Sequence, residues 1–119
     1  MCGEVKMKNL FHWVEIRTRN LEKAKKFYES LFDWKITGEK SENYWLIDPG
    51  GEPRGGMWQF PENKPLGVVV YVQVDSLEAT LEKVEKLGGK VVLRPIGERY
   101  AAFADPEGNI IGIWTPKKK

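Results

Sequence analysis

Between Leu10 and Thr18 apolar and polar residues alternate and β-formers dominate, which predicts a strand. Asn20 then offers a helix cap, with Glu22 in the favourable first turn. Leu21, Ala24, Tyr28, Leu31 and Phe32 fall on one helical face, while Glu22, Lys25, Lys26 and Glu29 fall on the other. Short strands are predicted next at Trp34–Thr37, Tyr44–Ile47 and Gly56–Phe60. Asp48-Pro49-Gly50-Gly51 supplies a tight turn between the last two.

After the proline-bounded polar stretch Pro61–Pro65 the same order returns. Gly67–Val74 reads as a strand, Asp75 or Ser76 as a cap, and Leu77, Leu81, Val84 and Leu87 as a buried helical stripe. Gly88 or Gly89 is placed to end that helix in a left-handed conformation. Strands at Val91–Leu93, Tyr100–Ala104 and Ile110–Trp114 follow, with Asp105-Pro106-Glu107-Gly108 as the turn. The two halves match directly at a fixed offset: Leu21-Glu22 falls on Leu77-Glu78, Tyr44 on Tyr100, and Gly56-Met57-Trp58 on Gly112-Ile113-Trp114. Each half is a βαβββ unit whose single helix covers one sheet face, so the other face needs a partner, and its sister is at hand. The expectation is one α+β domain over residues 1–119, with a first module at 10–60 and a second at 66–116.

Composition narrows the setting. The 41% hydrophobic share suffices for a packed interior, and the net charge of +2 arises from 19 basic and 17 acidic residues scattered together. No clustered basic face is visible, so nucleic-acid binding is not expected, and the Lys117–Lys119 run reads as a solvated tail. Cys2 is the sole cysteine, which excludes an internal disulfide. No apolar run nears the roughly 20 residues that span a bilayer, and the opening residues lack a signal-peptide core. A cytoplasmic protein without a membrane partner is expected.

The segments Trp13-Val14-Glu15-Ile16, Asn20 through Tyr28 leading to Phe32-Asp33-Trp34, Asp105-Pro106-Glu107-Gly108-Asn109 and Gly112-Ile113-Trp114 together resemble the vicinal oxygen chelate superfamily. Its members are glyoxalase I, extradiol dioxygenases and the bleomycin- and fosfomycin-resistance proteins. The resemblance covers nearly the whole chain. It implies the glyoxalase/bleomycin resistance-type fold, with tandem βαβββ modules forming one open barrel-like sheet, and it implies a homodimer. In metal-dependent members a divalent ion sits on four side chains, one from the first and one from the last strand of each module. Aligned on the landmarks above, those positions read Trp13, Gly56, Val69 and Gly112. None carries the imidazole, carboxylate or thiolate that such an ion needs. No metal and no cofactor is therefore expected, nor a metal-dependent glyoxalase or dioxygenase activity.

Strand alternation puts Phe11, Trp13, Glu15 and Arg17 on one face and His12 on the other, toward the helix layer. On the sister strand Val69, Tyr71 and Gln73 share a face. Gly56 and Gly112 leave bare backbone and free room, with Trp58 and Trp114 two residues on. The expected ligand-binding set, lining a cavity between the two modules, is Trp13, Glu15, Arg17, Gly56, Trp58, Tyr71, Gln73, Gly112 and Trp114, an aromatic lining with few polar groups that suits a small hydrophobic or aromatic ligand. Two other readings stay open. Glu15 is a candidate base for a cofactor-independent lyase or isomerase. Alternatively, the side chains fill their own cavity and the chain is a non-catalytic structural or accessory dimer.

Overall fold

The computed structural model describes residues 8–97 and 99–116, so Cys2 and the Lys117–Lys119 run lie outside the described residues. The chain divides into two compact units, one of His12–Val70 and one of Met1–Phe11 with Tyr71–Lys119. Both follow the order strand, helix, three strands: β1 (Phe11–Thr18), α1 (Leu21–Leu31), β2 (Lys35–Thr37), β3 (Tyr44–Asp48) and β4 (Arg54–Gln59), then β5 (Val68–Gln73), α2 (Leu77–Lys86), β6 (Lys90–Ile96), β7 (Tyr100–Ala104) and β8 (Ile110–Trp114). The expected α+β class and the βαβββ order are what the chain adopts.

In the 12–70 unit the strands run β2-β3-β4-β1. The β3 strand pairs antiparallel with both neighbours, and β1 lies parallel to β4 with Glu15 opposite Gly56 and Arg17 opposite Trp58. Helix α1 starts where the sequence predicts, because the Asn20 side chain accepts a hydrogen bond from the Lys23 amide at 3.0 Å. Its Leu21 buries against Ile36, Trp45, Ile47 and Met57, with Ile16, Ala24, Tyr28 and Trp34 packed around them. These contacts fix the sides of the sheet. Even-numbered Ile16 and odd-numbered Trp45, Ile47 and Met57 point to the helix, so Trp13, Glu15, Arg17, Tyr44, Gly56 and Trp58 share the helix-free face.

The second unit repeats the scheme with the order β5-β8-β7-β6. Ser76, not Asp75, caps α2, accepting from the Ala79 amide at 3.1 Å. Leu77 and Leu81 bury with Val74, Ala101 and Ile113. Gly88 takes the left-handed turn, at φ 95°. The two acidic turns are built alike. The Asp48 carboxylate accepts from the Gly50 amide and the Asp105 carboxylate from the Glu107 and Asn109 amides, each at 2.9 Å, and Gly50 and Gly108 both adopt φ 98°.

Both helical stripes stop one turn earlier than periodicity predicts. Leu31 is 59% exposed and Phe32 45%, because Trp34 takes the place beneath the last turn, its ring 5.4 Å from Tyr28 and 5.0 Å from Phe32. Leu87 is 69% exposed because α2 ends at Lys86.

Candidate functional site

On the helix-free face of the 12–70 unit, glycine at 56 removes the side chain that would stand beside Glu15. Tyr44, reaching across from β3, takes that place: a Cβ built on Gly56 would collide with its ring. Gly56 is accordingly buried, and the free room expected at this glycine is occupied by the phenol. From there the Tyr44 hydroxyl bridges two residues of β1. It accepts from Trp13 Nε1 at 2.8 Å and donates to Glu15 Oε1 at 3.2 Å. The other carboxylate oxygen, Oε2, accepts from Arg17 Nε at 3.3 Å. Glu15 is thus a carboxylate only 4% exposed, held from both sides. Both of its contacts are long for their types, whereas the Trp13–Tyr44 bond is of ordinary length.

The Arg17 guanidinium is braced by rings as well as by charge. Its Cζ lies 4.4 Å from the Phe60 centroid and 5.7 Å from that of Trp58. Trp58 and Phe60 meet edge-on at 4.9 Å, and Tyr44 lies 6.5 Å from Trp58. The result is an aromatic corner of Trp13, Tyr44, Trp58 and Phe60 around one ion pair. Trp13, Glu15, Arg17 and Trp58 were legible from strand alternation; Tyr44 and Phe60 were not. The signal for Tyr44 was its match with Tyr100 at the repeat offset. For Phe60 it was the two-residue step from Trp58. Two of the five tryptophans serve the core instead, Trp45 within it and Trp34 against it.

His12 shares strand parity with core-facing Ile16, and its pKa is lowered from 6.5 by burial, with the Glu52 charge opposing. Phe11, at the head of β1, is 70% exposed.

In the second unit Tyr71 stands opposite Gly112 and lays its ring over that glycine, so a Cβ there would collide with it. The expected free room is filled here too. Tyr71 meets Tyr100 edge-on at 6.2 Å. The Gln73 amide donates to the Lys8 carbonyl at 3.1 Å, fastening the chain ahead of β1, and Trp114 pairs with Gln73 and Tyr100 along β8.

The residues at the four positions named above do not fit a divalent ion. Trp13 offers an N–H already donated to Tyr44, Val69 offers only carbon, and the two glycines lie under tyrosine rings. Among the described residues no group of three or more His, Cys, Asp or Glu side chains is placed to hold a metal.

Two successive βαβββ units, each with its helix on one face of its sheet, mark a class of fold. Residues 10–113 match the Glyoxalase/Bleomycin resistance protein/Dioxygenase superfamily, and the chain belongs to it. It is 33% identical over 115 residues to a glyoxylase-like domain-containing protein of Didymella fabae, covering 86% of this chain and 90% of that one. It is 30% identical over 119 residues to the putative glyoxylase CFP32 of Mycobacterium tuberculosis; 90% of this chain is covered, but only 46% of that relative's length. The fold is shared with the Mn(II)-bound glyoxalase of Novosphingobium aromaticivorans, with a TM-score of 0.68 and 17% identity over 97% of this chain and 41% of that one.

Proposed function

We propose that this chain is a metal-independent member of the superfamily that binds a small aromatic ligand against the helix-free face of residues 12–70. One observation carries the reading: a buried carboxylate, Glu15, is held by Arg17 and Tyr44 inside an aromatic corner. Binding sites for small molecules combine this kind of apolar wall with a few fixed polar groups. Metal independence is supported by the donor-free residues at Trp13, Gly56, Val69 and Gly112. Pairing into a homodimer in the cytoplasm belongs to the same proposal.

A second reading keeps the same site and makes Glu15 a base in a cofactor-independent isomerase or lyase. The Tyr44 hydroxyl favours it: its proton, donated to Glu15 at 3.2 Å, is released toward an enolate oxygen once the carboxylate has taken up the substrate's proton. Both readings meet one experiment: titration of tryptophan fluorescence with indole and phenyl compounds in the presence of a chelator, on the natural chain and on Glu15→Gln. Saturable quenching by either compound class supports ligand binding. Retained binding in Glu15→Gln, together with loss of any proton exchange at the ligand's acidic carbon, assigns the base role. An emission spectrum unmoved by every compound overturns the proposal.

A further inference from the structure

From the geometry around Arg17 we infer that the ligand proposed above carries a carboxylate, and that Arg17 is the residue that reads it. The inference rests on that binding proposal and adds its chemical class: a planar aromatic acid with a single negative charge.

Arg17 enters its ion pair through Nε alone, at 3.3 Å from Glu15 Oε2. Among the described residues neither Nη1 nor Nη2 meets a protein acceptor, so the fork that ends the guanidinium is unspent. Nor is that end sealed. The Arg17 side chain keeps 20% exposure, and no fully buried side-chain nitrogen or oxygen among the described residues lacks a partner. Burial strips water from most of the group while Glu15, Phe60 and Trp58 fix its plane. The donors that remain therefore form a preorganised pair matched to the two oxygens of a carboxylate. Neighbouring Arg19 does not offer a second such fork, because its Nη1 and Nη2 already donate to the carbonyls of Pro61 at 2.6 Å and Lys64 at 2.7 Å.

The charge of the ligand follows from the same arrangement. Glu15 already neutralises Arg17, so an incoming anion meets one shared cation and a carboxylate of like sign. A singly charged group bridged by the guanidinium is tolerated there; a doubly charged phosphate gains repulsion without a second cation. The rings of Trp58 and Phe60, edge-on to each other beside the fork, supply apolar surface for the ligand's own ring.

The test compares acid and amide forms of one ring system, indole-3-acetate with indole-3-acetamide and benzoate with benzamide, by calorimetric titration of the full chain. The acid of each pair is expected to bind about tenfold tighter than its amide. In Arg17→Met the ratio of acid to amide affinity falls to within about twofold, a comparison in which any general loss from the unpaired Glu15 cancels. Arg17→Lys keeps the charge but not the fork, and a drop in acid affinity with an unchanged circular-dichroism spectrum also supports the assignment. Equal affinities for acid and amide in the natural chain overturn it and leave aromatic binding standing. So does a preference that survives in folded Arg17→Met. If neither member of either pair binds, both this inference and the binding proposal fall.

Discussion

Gly56 shapes the site through the side chain it lacks. Without a side chain it lets Tyr44 cross β4 and join Trp13 to Glu15, and the phenol can leave only by surrendering both hydrogen bonds. Gly56→Ala is therefore expected to destabilise the chain by about 1–3 kcal/mol, the usual cost of overfilling a packed site. Gly51→Ala is the control, since nothing lies within 4 Å of the added methyl. Urea denaturation checks both. A Gly56→Ala midpoint equal to that of the natural chain would contradict the packing of ring on backbone.

At the scale of elements, acidic side chains tie segments together in ways that pH can undo. Glu29 of α1 accepts from the Ile36 amide of β2 at 2.9 Å. That bond, with Lys25 assisting, holds its pKa below the ordinary 4.5 against opposing desolvation. Asp105 is likewise held below 3.8, first by the Asn109 side chain and then by the turn amides. A carboxyl with a depressed folded pKa stabilises above its unfolded value, and that contribution is lost as pH falls through the folded one. His12, also depressed, begins a separate loss below 6.5, where the unfolded chain takes up the proton more readily. Stability should thus decline in two stages on acidification, and Glu29→Gln or Asp105→Asn should flatten the stage below about pH 4.5. Urea midpoints measured from pH 7 to pH 3 decide it; an acid limb identical in both variants and the natural chain would remove these carboxylates from the account. The elements themselves were largely legible, because period-two strands, Asn20 and Ser76 caps and Asp-Pro turns are local signals. The site was legible only as far as one strand's alternation reaches. Tyr44 joins it by crossing a neighbouring strand, and Gly56 and Gly112 were misjudged as space because a missing side chain does not say what fills its place. Periodicity puts Leu31 on the apolar face of its helix and Leu87 in the buried stripe of the other, because it carries no information on where a helix loses its partner.

Across the whole chain, membership of the superfamily and the absence of donors at its four positions lead to a single measurement. Adding or chelating manganese, nickel, zinc or iron should leave the melting temperature unchanged, since only an ion that prefers the folded chain can shift it. A stoichiometric ion that survives dialysis and raises the melting temperature would show that the chain holds it through other residues. The tyrosines laid over Gly56 and Gly112 have a consequence for engineering as well. Installing a histidine or glutamate at either glycine alone would drive the new side chain into a ring, and trimming the tyrosine alone would open a hole. A coordinating side chain can therefore be grafted into either half only by changing glycine and tyrosine together.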